Sequence, residues 1–110
     1  MANPVIKAFD TYTLSYRSGH PSLEARIYCW SGSTRVGTID FLKEGANLPD
    51  NSYDSSPGGW GVYIHHPLSR FNDVTAVLRH EKPLHSYFTP DTLDAGIITT
   101  TREPLGELEP

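Results

Sequence analysis

The stretch "VYIHHPLSRF" at 62–71 puts two adjacent imidazoles, a hydroxyl and a guanidinium at the point where a strand runs into a helix. A helix N-terminus exposes free N–H groups and a partial positive charge, which suits a phosphate or a carboxylate. His66, Ser69 and Arg70 flank that terminus and form a candidate anion site, with a protonated histidine tightening the hold. Against that chemistry, Ser69 can satisfy the terminus by itself as an N-cap, and no glycine opens the backbone to a ligand. The junction therefore reads as architecture before chemistry.

Metal chemistry finds no framework in the residue spacing. "HEKPLH" from His80 to His85 resembles H-E-x-x-H, but the second histidine comes one residue late and Pro83 breaks the helix between them. A zinc site built from separate segments would need His65 or His66 with His80, His85 or Cys29. Adjacent strand residues point to opposite faces, so His65 and His66 do not share one metal. Asp50, Ser52 and Asp54 have the 1-3-5 spacing of a calcium loop, but Ser55 stands where glycine is needed and Gly61 where glutamate is needed. An Asx turn is the expected use of that loop. Cys29 falls mid-strand on the parity of Ile27, which predicts a small buried hydrophobe and not a nucleophile. Motifs of the forms G-x-S-x-G, G-x-G-x-x-G and the P-loop do not occur, and no metal or cofactor is expected.

A second constellation is aromatic. Tyr28, Trp30, Tyr63 and Tyr87 have the parity opposite to the expected core, accompanied by Arg26, His65 and His85. If their strands are neighbours, these seven residues make one sheet face able to stack a planar ligand, cover a single strand of nucleic acid, or bury itself in a partner. The competing structure is a barrel or sandwich in which these rings form a second core layer.

The elements that must position these groups follow from periodicity. Residues 5–17 alternate as a half-buried strand through Tyr12, Leu14 and Tyr16, with Phe9 on the other parity, which predicts a bulge or bend near Asp10. "ARIYCWS", the turn "SGST" and "RVGTIDFL" form a hairpin with Ala25, Ile27 and Cys29 on one face and Ile39 and Phe41 as their core partners. Arg35 and Gly37 share the parity of that pair, and Gly32 can supply positive φ in the turn. Residues 43–59 read as a long polar loop, and "WGVYIH" as a strand with Trp60, Val62 and Ile64 on one face. Phe71, Val74, Val77 and Leu78, joined by Leu68, give a helical stripe over about 69–82, ended by Pro83. "PLHSYF" and "AGIITTT" are two more strands.

The expected fold is an α+β domain: a mostly antiparallel sheet of about six strands, barrel- or sandwich-like, with one helix between strands four and five. The 110 residues favour one domain over 1–101, and residues 102–110 read as a flexible acidic tail with one arginine against three glutamates. The net charge of −4 and the scattered lysines and arginines argue against phosphate-backbone binding, so nucleic acid is not an expected partner. One cysteine excludes an internal disulfide, and no signal peptide or apolar run of membrane-spanning length occurs, which makes the cytoplasm the default location.

Three functions compete. A non-enzymatic binding or protein-interaction module, with a partner protein or a second copy of the chain, requires an exposed apolar face or edge. A small ligand-binding or enzymatic barrel requires at least two of His65, His66, His80 and His85 to converge in one pocket. An OB-like single-strand binder requires the helix after three strands and strongly salt-dependent binding. Interaction is favoured because no catalytic motif is present.

Overall fold

The structure is a computed structural model that describes residues 4–19, 21–56, 58–80 and 84–99. It is an α+β fold in which two sheets and a helix enclose one core. The strands are β1 (Val5–Phe9), β2 (Thr11–Tyr16), β3 (Leu23–Ser31), β4 (Thr34–Leu42), β5 (Ser52–Asp54), β6 (Gly61–Pro67), β7 (Leu84–Thr89) and β8 (Asp94–Ile98). Between β6 and β7 lie a 3-10 turn (Leu68–Arg70) and α1 (Phe71–His80). One sheet has the order β1-β7-β8 and the other β2-β3-β4-β6-β5. All neighbouring pairs are antiparallel except β4 and β6, which run parallel. The arrangement is a sandwich and not a closed barrel.

The described residues form eight strands where about six were expected, so the helix follows strand six and not strand four. Two short-range effects account for the difference. The first long strand divides at Asp10, whose N–H bonds the Trp30 carbonyl although the register pairs Trp30 with Thr11. Asp10 is thus the extra residue of a bulge, as its sequence suggests, and there the chain leaves one sheet for the other. The second addition is β5, three residues inside the long polar loop and too short to show a period.

Alternation does the rest. In β3 every second residue from Leu23 to Cys29 is buried, and Ile27 and Cys29 stand opposite Ile39 and Gly37. Val62 and Ile64 extend that face through β6, while Phe9, Leu84 and Phe88 close over it from the smaller sheet. The sheets come close at Gly37, where an added Cβ would lie 3.4 Å from both Cys29 Cβ and Ser86 Cβ. Ser86 Oγ donates across that contact to the Val36 carbonyl at 3.0 Å.

The helix seals the other end of the core with the stripe its sequence predicts: Val74 and Leu78 are buried, and Phe71 and Val77 pack beside them. Phe71 meets Phe41 and Tyr16 at ring separations of 5.1 and 4.9 Å. Its start differs from expectation. Pro67 occupies the N-cap position of the 3-10 turn and makes no side-chain capping bond, so Ser69 is not the cap. The predicted end at Pro83, and the acidic tail 102–110, lie outside the described residues. No helix among the described residues is long and apolar enough to cross a membrane.

Candidate functional site

The face of the larger sheet turned away from the core carries the aromatic constellation. Register sets Arg26 opposite Asp40 and Tyr28 opposite Thr38 on β3 and β4, and the parallel pairing sets Thr38 beside Tyr63 and Asp40 beside His65. Residues opposite one another in a ladder share a face, so five of the seven predicted positions meet: Arg26, Tyr28, Trp30, Tyr63 and His65. His85 and Tyr87 do not join them. They alternate with buried Leu84, Ser86 and Phe88 and so occupy the outer face of the smaller sheet, where Tyr87 O–H bonds Asp94 at 3.2 Å.

Asp40 organises the layer. It is 4 % exposed, and its two oxygens receive Arg26 Nε–H at 2.6 Å and Nη2–H at 2.9 Å. Tyr63 O–H donates to the same carboxylate at 2.5 Å, and Arg26 also reaches the hydroxyls of Tyr63 (3.3 Å) and Tyr28 (3.5 Å). The bond to Asp40 raises the Arg26 guanidinium pKa despite partial burial. Burial first, and then Asp40, push the Tyr63 phenol up to about 12. Both side chains are therefore locked in one protonation state at neutral pH.

A stacked upper layer builds on this cluster, of which Asp40 is the buried member. The Arg26 guanidinium lies 5.2 Å from the Trp60 ring, and that of Arg35 lies 4.6 Å from Tyr28, 5.1 Å from Trp60 and 5.9 Å from Trp30. Trp60 packs on Tyr63 at 5.1 Å, and Tyr63 stacks on His65 at 4.4 Å. Arg35 spends its hydrogen bonds on the Gly59 and Gly58 carbonyls, at 3.1 and 2.9 Å, which fixes the β5–β6 loop. Trp30 Nε1–H bonds Thr13 Oγ1 on β2 at 3.2 Å. Beside this layer an open pocket of about 500 Å³ has Lys7, Trp30, Arg35, Tyr53 and Asp54 on its walls.

Three members of the layer escaped the sequence reading. Arg35 was expected on the core parity, but a register shift between Cys29 and Trp30 places it opposite Trp30 on the outer face. Trp60 was expected beside Val62, but Gly61 adopts φ 69°, which breaks the alternation and turns the indole outward. Asp40 sits between buried Ile39 and Phe41, and its parity with Arg26 was the signal available.

The junction residues are placed as follows. His66 lies on the core side, 6.0 Å from the Phe41 ring, while His65 faces outward. Burial lowers both imidazole pKa values; Arg26 adds to the effect at His65 against Asp40 and Asp50, and Arg70 and His65 add to it at His66. His65 Nδ1 is buried with no hydrogen-bond partner. The Ser69 N–H at the start of the helical segment is held by Glu44 Oε2 at 2.6 Å, so a carboxylate of the chain itself stands where the anion was expected. Asp54 forms the predicted Asx turn, accepting from Ser56 N–H at 2.9 Å. No group of three or more metal-ligating side chains gathers among the described residues. Cys29 is buried between the sheets, and desolvation pushes its thiol up to about 12. No protein-family model, curated protein or solved structure matches this chain.

Proposed function

We propose that this chain is a non-enzymatic protein-interaction module that binds through the outer face of its larger sheet. The observation that carries the reading is the contiguous layer of Arg26, Arg35, Tyr28, Trp30, Trp60, Tyr63 and His65, held over buried Asp40 and Thr38. Tryptophan, tyrosine and arginine dominate the energetics of protein interfaces, and rings already fixed by their neighbours lose little entropy on docking. Because the guanidiniums are bonded within the chain, the layer offers a partner flat π surface more than unsatisfied donors. One guanidinium is neutralised by Asp40, which leaves too little positive charge for a phosphate backbone. Three of the four histidines that a catalytic reading names, His65, His66 and His85, lie on three different faces.

Both tryptophans of the chain belong to the layer, so tryptophan emission, excited where tyrosine does not absorb, reports on this face alone. A protein captured by the wild-type chain and then titrated back should shift and shield tryptophan emission. Trp60→Ser with Tyr28→Ser should abolish capture while the far-ultraviolet dichroism stays unchanged. Equal capture by that folded variant, or capture without any change in emission, removes this face as the binding surface.

A further inference from the structure

Among the described residues the sandwich has four edge strands, and three of them are protected. β1 carries Lys7 at its centre, β5 is only three residues long, and β8 has an aspartate at its start and a glycine in its middle. Natural proteins use such charges, interruptions and short lengths to keep sheet edges from pairing with other chains. β2, "TYTLSY", has none of them: six residues without a charge, proline or glycine, at the rim of the larger sheet.

Its free hydrogen-bonding groups can be assigned. Arg17 N–H bonds the Glu24 carbonyl in the same register that pairs Thr11 with Trp30. In an antiparallel ladder bonded residues alternate, so Thr11, Thr13 and Ser15 direct their main-chain groups to β3, and Tyr12, Leu14 and Tyr16 direct theirs outward. The same three residues carry the apolar side chains of the strand. Leu14 is 42 % and Tyr16 is 66 % exposed, because neither the smaller sheet nor the helix reaches fully over β2.

We propose that β2 is a homodimerisation edge, joining two copies antiparallel into one continuous sheet of ten strands. The strand is complementary to itself about a two-fold axis at Leu14. That axis places Leu14 opposite Leu14 of the second copy and Tyr12 opposite Tyr16, which are the residues with outward N–H and C=O groups. Three bonded pairs then form about six main-chain hydrogen bonds. On the core side the pairing matches leucine with leucine and tyrosine with tyrosine; on the other side Thr13 meets Ser15. The flanking charges agree with this direction: Asp10 at one end of the strand comes to the end where the second copy has Arg17. A two-fold axis perpendicular to the sheet leaves both Arg–aromatic layers on the same side, with the two β3 strands about 14 Å apart. The dimer rests on the strand edge and not on that layer, so either reading can fail without the other.

Light scattering and sedimentation of the full chain should give twice the 12.2 kDa mass of one chain. Leu14→Lys, at an exposed side chain, and Leu14→Pro, which removes only an outward N–H, should both give single chains, whereas Trp60→Ala should remain dimeric. Amide exchange in the wild type supplies a readout without mutation. The Tyr12, Leu14 and Tyr16 amides should be at least about tenfold better protected in the dimer than on dilution, with Thr13 and Ser15 protected throughout. A single-chain mass up to millimolar concentration overturns the proposal. So does a dimer whose Tyr12, Leu14 and Tyr16 amides exchange freely, or one lost in Trp60→Ala but kept in Leu14→Lys.

Discussion

At the scale of single residues, Asp40 explains why Arg26 and Tyr63 hold one geometry on a sheet surface, and with them the Trp60 ring that packs on both. A carboxylate 4 % exposed with three charge-assisted or hydroxyl donors is stable only as a complete set, since removing one partner strands the other charge. Asp40→Ala should therefore cost about 3 kcal/mol in urea unfolding, and the joint change Arg26→Met with Asp40→Leu should cost less than Asp40→Ala alone. Tyr63→Phe should cost about 1 kcal/mol, because Arg26 still satisfies the carboxylate. The two junction histidines should contribute to the acid side of the stability curve. Burial holds both folded-state pKa values below the ordinary 6.5, so the neutral forms are favoured in the fold. Their contribution is complete above pH 6.5 and is lost as the pH falls through the folded values. The urea midpoint should drop between pH 7.5 and 5.5, and His65→Gln with His66→Gln should flatten that drop. A midpoint equally steep in the double variant would assign the acid sensitivity to carboxylates instead.

At the scale of elements, strand alternation was legible wherever a strand was regular and at the Asp10 bulge, where Phe9 changes parity, but it failed at the irregularities before Gly37 and at Gly61. Ala25, Ile27 and Cys29 could be placed on the core face, and Tyr28 with Tyr63 on the other, because nothing interrupts their period of two. Arg35 and Trp60 could not, because a one-residue slip in a ladder reverses every later side chain, and neither the register shift nor the conformation of Gly61 leaves a period to read. The parallel pairing of β4 with β6 was also hidden, since two strands joined through a loop give no local sign of direction. Gly61 is the residue on which the orientation of Trp60 and the close approach of β6 to β4 depend. It has φ 69°, and a Cβ there would lie 2.3 Å from the Val36 carbonyl carbon, which is main chain and cannot swing aside. Gly61→Ala should cost about 2 kcal/mol or more, combining left-handed strain with that clash. It should also alter the fluorescence of Trp60 even where the chain stays folded. Unchanged stability would mean that β6 approaches β4 less closely than this geometry requires.

At the scale of the whole molecule, Cys29 links sheet packing to association. Its side chain is fully buried where the sheets touch, beside Gly37 and Ser86, so a reagent reaches the sulfur only after the sheets separate. Its thiol, raised to about 12, supplies almost no thiolate at neutral pH even to a reagent that penetrates. Alkylation of Cys29 should consequently be slower than that of an exposed thiol by about a thousandfold or more, tracking global unfolding for a domain of ordinary stability. Association through β2 adds a second dependence. A dimer that forms only from folded chains withdraws them from the unfolding equilibrium by mass action, so labelling should slow further as protein concentration rises above the dissociation constant. In Leu14→Lys the rate should be independent of concentration, although Leu14 stands opposite Ile27 and Cys29 stands opposite Tyr12. Fast labelling at every concentration would mean that the two sheets part locally, and the close contact at Gly37 would then be the weak point of the sandwich and not its centre.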